Sequence, residues 1–214
     1  MNAMKDKPSE WIAISDLMAG VMAVVMLLLV VSVLQKSMSE RRYQEELAKA
    51  KGSMNDPIVK VTQALSEMLS KPGATELMAL DQKTNRLTLR DGVFTRGSAC
   101  LTSEARAAVE AVQGQLAQFL RSSPKARILV EGYTDNLPVK QPVTDYQRFC
   151  TVYDDNFTLS AARAREARRA LVGTLDDQAL KRIVVAGYGE SRPLEGLHPS
   201  DSKNRRVEVQ FVMD

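Results

Sequence analysis

Histidine occurs once in this chain, at His198, tryptophan once, at Trp11, and cysteine twice, at Cys100 and Cys150. His198 sits in a Leu-His-Pro loop with no serine and carboxylate placed to form a nucleophilic relay. No nucleophile elbow and no spaced group of metal-ligating side chains occurs, so catalysis is excluded and no cofactor is expected. Aromatic residues make up only 5% of the chain. The net charge is +3, and the basic residues are dispersed rather than interleaved with aromatics, which excludes a nucleic-acid partner. No internal repeat or low-complexity tract is present, so solenoids and disordered arrays are excluded as well. Two cysteines leave two options open, a Cys100–Cys150 disulfide in an oxidising compartment or two buried thiols in a reducing one.

Only one long apolar run is present, Trp11–Leu34, and it contains a carboxylate, Asp16. At about 1.5 Å per residue the run reaches about 36 Å, enough to cross a hydrocarbon core of about 30 Å with some tilt. An ionised aspartate inside such a helix costs about 2.5–3.5 kcal/mol. Taking up a proton removes that cost, so Asp16 can alternate between neutral and charged forms, which is the chemistry of an ion relay. By position alone, Asp16 at the interface, reaching to water, is an equal reading. Ala13, Ala19, Gly20 and Ala23 recur with Asp16 at helical spacing and form a face of small residues on which another helix can approach closely. That aims Asp16 at protein, and since one helix cannot enclose a water path, other chains must supply the wall. The run is too long for a cleavable signal, so a retained anchor is expected. Lysines and arginines after the helix (Lys36, Arg41, Arg42, Lys49, Lys51) outnumber those before it (Lys5, Lys7), a bias toward a cytoplasmic C-terminal part that a long exported domain can override.

Residues 1–10 read as a polar tail, 11–34 as the transmembrane helix and 35–53 as a charged helical stalk ending at Gly52-Ser53. Residues 54–75 read as an amphipathic helix with Asp56 as N-cap, Pro57 in the first turn and Lys71-Pro72-Gly73 as its stop. From residue 76 to 214 strands and helices mix. A hairpin spans Glu76–Leu80 and Arg86–Arg90, a helix Ser103–Arg121 and a strand Arg127–Val130. A polar insertion over Leu137–Asp155 follows, then a helix Thr158–Val172 capped by Thr158 or Ser160, and strands at Ile183–Ala186 and Val207–Val212. The fold class is α+β, a mixed sheet with two helices on one face.

Four segments of this second part stand out: Glu131-Gly132-Tyr133-Thr134-Asp135-Asn136, Asn156 to Ala164, Gly187-Tyr188-Gly189, and Asn204-Arg205-Arg206-Val207-Glu208-Val209. They place a carboxylate at a strand end, an arginine one turn into a helix, and two more arginines in a late loop. Asp135 can pair with an ammonium, and Arg163 with the helix N-terminus can hold a carboxylate. In this order the segments resemble the OmpA-like peptidoglycan-binding domain. The resemblance implies binding of the diaminopimelate-containing stem peptide by Asp135 and Arg163, with supporting contacts from Thr134, Asn136, Asn156, Leu159, Ser160, Asn204 and Arg205 or Arg206. The insertion carrying Cys150 is longer than that family's usual loop.

Trp11-Ile12-Ala13-Ile14-Ser15-Asp16-Leu17-Met18-Ala19-Gly20-Val21-Met22 resembles the signature of the B subunits of ion-driven stator motors, which include flagellar MotB and PomB and the ZorB component of Zorya anti-phage defence. The resemblance implies that Asp16 carries the ion, H⁺ or Na⁺, with the scarcity of polar neighbours other than Ser15 favouring H⁺. It implies a homodimer inside a MotA- or ZorA-like ring, roughly five A subunits around two B chains. It places the protein in the bacterial inner membrane, with a cytoplasmic N-terminus and a periplasmic domain. The short tail and compact stalk favour the ZorB branch. The alternatives are a flagellar stator subunit and a non-conducting peptidoglycan-binding anchor of the envelope.

Overall fold

The computed structural model describes residues 10–54, 56–70, 76–173 and 175–214, with the backbone alone for 10–16, 37 and 41–54. Residues 1–9 of the polar tail expected over 1–10, and the Lys71-Pro72-Gly73 stop, lie outside the described residues, while Glu10 already belongs to the first helix. The chain divides after Ser53 into two compact units. The first is essentially one helix, α1 (Glu10–Met54). The expected membrane helix and stalk are therefore continuous, and the helix passes through Gly52-Ser53 instead of ending there. Within α1, Leu17–Glu40 is long and apolar enough to cross a membrane. Its large apolar side chains, Leu17 through Leu34, are exposed in the single chain. Asp16 lies in the second turn of α1, and its side chain is outside the described set.

The second unit begins with α2 (Pro57–Leu69), whose first turn is closed as its sequence dictates: the Asp56 side chain accepts from the Ile58 amide and Pro57 stands at N1. There follow β1 (Met78–Asp81), β2 (Arg86–Leu89), α3 (Ser103–Ser122), β3 (Ala126–Tyr133), a short α4 (Tyr146–Phe149), α5 (Asn156–Val172), α6 (Asp177–Leu180), β4 (Ile183–Gly187) and β5 (Arg206–Met213). The sheet order is β1-β2-β5-β3-β4, and only β3 and β4 run parallel. The mixed α+β class expected from the sequence is what forms.

Alternation decides which sheet face is apolar. Leu87 and Leu89 of β2, Ala126, Ile128 and Val130 of β3, and Val207, Val209 and Phe211 of β5 share one buried core. Against them pack Val61 and Leu65 of α2, Val109, Val112 and Leu116 of α3, and Ala164, Ala167 and Leu171 of α5. A third helix, α2, therefore joins the two expected to cover the sheet, because its Val61–Leu65–Leu69 stripe is buried. The opposite face is charged. Glu131 and Glu208 are direct cross-strand partners, a repulsive placement that Arg86 relieves by donating to both carboxylates.

Two glycines decide how close α5 comes to the strands. Gly132 of β3 and Gly187 of β4 are register partners. A Cβ on Gly132 would lie 2.0 Å from the Ser160 carbonyl oxygen, and one on Gly187 would lie 2.5 Å from the Ala161 amide nitrogen. Both obstacles are backbone, so they cannot rotate away. Gly132→Ala is expected to push the first turns of α5 off the sheet and to lower stability by about 3 kcal/mol, at the upper end of overpacking costs. A drop of several degrees in the thermal midpoint checks this, and an unchanged midpoint rules out the close packing.

Candidate functional site

β3 ends by delivering Thr134, Asp135 and Asn136 to the edge of the sheet, and the first turns of α5 arrive beside them. The Asp155 side chain caps α5 by accepting from the Thr158 amide at 2.6 Å, and the Thr158 hydroxyl donates to the same carboxylate at 3.2 Å. The cap is thus Asp155, not Thr158 or Ser160, and the helix starts two residues earlier than expected, at Asn156. A carboxylate at the N-cap position satisfies the Thr158 amide better than a hydroxyl inside the turn. It also places the chain's own negative charge at the start of α5.

Asp135 is 5% exposed. One of its oxygens accepts from the Leu137 amide at 3.2 Å, and the other accepts from Arg205 Nη1 at 2.6 Å. Arg205 turns its remaining donors on Asp91, Nε to Oδ1 at 2.9 Å and Nη2 to Oδ2 at 2.8 Å, a bidentate pair. Those hydrogen bonds, Asp91's first, hold the Arg205 guanidinium above the usual arginine value. On the other side of Asp91 lies Arg163, with Nη1 3.9 Å from Oδ1. The result is a chain of alternating charges, Arg163–Asp91–Arg205–Asp135. A cleft of about 550 Å³ opens beside it, lined by Asp91, Arg205, Ser202 and Lys203 among others.

Arg163 is the incomplete member. It is 2% exposed, its Nε donates to the Ser98 carbonyl at 3.0 Å, and its guanidinium lies 5.4 Å from the centre of the Phe94 ring. Burial pushes Arg163 below the usual arginine value, and the nearby Arg205 adds to this, while Asp91, Tyr153 and Asp135 oppose it. Its Nη1 is buried with no hydrogen-bond partner among the described residues, and so is the Thr134 hydroxyl. A buried cation with an unpartnered Nη1 is costly in isolation, and a ligand carboxylate is the chemical partner that would relieve it.

The other expected residues act mainly by holding the backbone. Asn156 donates its amide to the Asp135 and Leu137 carbonyls, at 3.3 and 3.0 Å. Ser160 donates to the Phe157 carbonyl and accepts from the Gly189 amide at 2.9 Å, fixing the turn after β4. Asn204 is buried and uses its whole side chain on the 194–199 loop, accepting from the Leu194 amide and donating to the His198 and Pro199 carbonyls. Pro199 also receives the Asn136 amide. Leu159 is buried, and the Asn136 side chain is exposed. Between the two arginines the structure separates roles: Arg205 reaches Asp135, whereas Arg206 points to the charged sheet face and pairs with Glu208 at 2.6 Å over the Tyr133 ring. Cys100 and Cys150 form a disulfide. Asp91 and the Ser98 carbonyl were not expected. Asp91, in Arg90-Asp91-Gly92, reads locally as turn material, and a backbone carbonyl leaves no mark in a sequence.

Residues 93–206 match the family described as OmpA. The chain belongs to the OmpA family. Among individual proteins, this OmpA-family chain is 28% identical over 129 residues to Motility protein B of Bacillus subtilis (strain 168), a match covering 59% of the chain and 44% of that protein, less than half of its length. The crystal structure of a MotB-like protein from Desulfovibrio vulgaris shares the fold at 23% identity and a TM-score of 0.52, covering 73% of this chain and 96% of that one. The periplasmic domain of Helicobacter pylori MotB (residues 78–256) aligns at 19% identity and a TM-score of 0.46, over 60% of this chain and 76% of that domain.

Proposed function

We propose that this protein is the B subunit of an ion-driven stator motor of the inner membrane. In this reading its OmpA-family domain grips peptidoglycan in the periplasm while Asp16 carries the ion in the membrane. The observation that supports the wall-binding half is the charged chain ending in Arg163, whose buried Nη1 has no hydrogen-bond partner among the described residues. The free end of a meso-diaminopimelate side chain bears an ammonium and a carboxylate on one carbon. The carboxylate goes to Arg163, and the ammonium goes to Asp135, which is held at the site by Arg205. Arg205 leaves Asp135 accepting capacity, because a carboxylate offers about four lone-pair sites and two are in use.

The motor half rests on the membrane-length helix, on a titratable group near its start, and on similarity to Motility protein B. Gly20 belongs to the face of small residues, with Ala13, Ala19 and Ala23, on which a second helix can approach closely. A homodimer inside a MotA- or ZorA-like ring then completes the water path, H⁺ being the favoured ion. The short tail and the compact stretch before the domain favour the ZorB branch of Zorya defence over a flagellar role.

Sedimentation with purified cell walls tests the anchor. Full-length protein in detergent is expected to co-sediment with sacculi of the meso-diaminopimelate type and to be released by free meso-diaminopimelate. Sacculi of the lysine type, which lack that terminal carboxylate, are expected to retain at least tenfold less. Equal retention on both walls would sink the assignment of Arg163 to a carboxylate.

A further inference from the structure

The Arg163 side chain is held by a carbonyl, and that carbonyl belongs to a segment stapled to the insertion. Ser98 accepts Arg163 Nε at 3.0 Å through its backbone oxygen. Its own hydroxyl donates to the Phe149 carbonyl at 3.0 Å and accepts the Cys100 amide at 2.9 Å. The neighbouring Ala99 amide also donates to the Phe149 carbonyl, at 3.0 Å. One residue further on each side, Cys100 and Cys150 are joined covalently. Tyr153 adds a fourth tie, its hydroxyl donating to the Gly97 carbonyl at 2.6 Å, and the Cys150 carbonyl accepts from Arg165 at 2.9 Å. Cys150 itself stands in the left-handed region, at a φ of 55°. That left-handed residue ends α4 and turns the chain so that the Phe149 carbonyl faces the 98–99 segment.

We propose that the Cys100–Cys150 disulfide and Tyr153 are positioning elements of the anion half-site. They fix the 97–100 segment so that the Ser98 carbonyl aims Arg163 Nη1 at the ligand carboxylate. With the disulfide reduced, the covalent tie between the two segments is gone, and the Phe149 carbonyl is held against Ser98 and Ala99 by hydrogen bonds alone. Ser98 then loses its second anchor and Arg163 its orientation. The two thiols pass two electrons and two protons to a disulfide-donating oxidant of the exported compartment as the bridge forms, so the chain grips the wall after export and not before. This deepens the wall-binding reading above and rests on it.

The test compares the full-length protein in detergent, labelled with ¹⁵N-arginine, against Cys100→Ser/Cys150→Ser and against Tyr153→Phe, below the melting temperature of each. In the oxidised parent the Arg163 Nε–H is expected to exchange slowly with solvent. In the serine pair that protection is expected to collapse and the Kd for meso-diaminopimelate to rise about tenfold, the usual scale of one hydrogen bond to a charged group. Tyr153→Phe, which keeps the disulfide, shifts both readings in the same direction. In an Arg163→Lys background the serine pair is expected to cost nothing further, because the group it positions is gone. Full protection retained in either folded variant, or losses that add in the lysine background, overturns the proposal. A parent protein that fails to bind meso-diaminopimelate overturns the wall-binding reading instead, and the Nε–H measurement still decides whether the strap positions Arg163.

Discussion

Asp16→Asn is expected to abolish ion flux while leaving attachment to the wall untouched. Asparagine has the volume of the protonated aspartate and no titratable proton, so it fixes the helix in the neutral state. Inward movement of one cation releases about 2.3 kcal/mol per 100 mV of membrane potential. Without a group that alternately binds and releases the ion, none of that energy reaches the surrounding ring. Cells producing this chain together with its A-subunit partner, and carrying a cytoplasmic pH reporter, are expected to lose the whole partner-dependent acidification on Asp16→Asn. Asp16→Glu keeps the carboxylate one methylene further out and is expected to retain part of the signal. The pair of variants separates chemistry from packing: if asparagine conducts as well as the parent, the relay role fails. Phage protection or swimming, whichever the cell performs, must fall in parallel.

The elements of the fold were legible wherever local chemistry decided them. Asp56-Pro57 opens α2 because a capping carboxylate and a residue with no amide to lose are both local features. The strands declared themselves through Val207-Val209-Phe211 and Leu87-Leu89, whose alternation survives in the buried face of the sheet. The same alternation separates the two arginines. Arg206 shares a face with Glu208, opposite Val207 and Val209, while Arg205 precedes the strand and is free to turn toward Asp135. What could not be read is non-local. Asp91 enters the site from a turn more than forty residues before Asp135, brought there because β2 pairs with β5 and β5 with β3. The start of α5 was misplaced for a related reason: two hydroxyls and a carboxylate within six residues all qualify as caps, and only the packing of Gly132 beneath Ser160 fixes which turn meets the sheet.

Arg163→Met is expected to separate binding from stability, sharply weakening the first and nearly sparing the second. Methionine matches the length and much of the volume of the arginine stem and carries no charge. Removing the cation relieves its burial, a cost that an ion 3.9 Å from its nearest carboxylate does not recover in full. It strands no carboxylate, because Asp91 keeps its bidentate pair with Arg205. Against this stands the Ser98 carbonyl, which loses its donor at a cost of about 1–3 kcal/mol. The two effects nearly cancel, so the thermal midpoint is expected to move by only a few degrees in either direction. Binding has no such compensation. Truncating one partner of a desolvated, hydrogen-bonded charge pair costs about 2–5 kcal/mol. Affinity for meso-diaminopimelate, measured by calorimetry, is therefore expected to fall by at least about thirtyfold. A methionine variant that unfolds would make Arg163 a structural ion, whereas one that keeps both fold and affinity would move the ligand carboxylate away from Arg163. In the proposed reading, a carboxylate of the wall peptide completes the coordination of this buried cation.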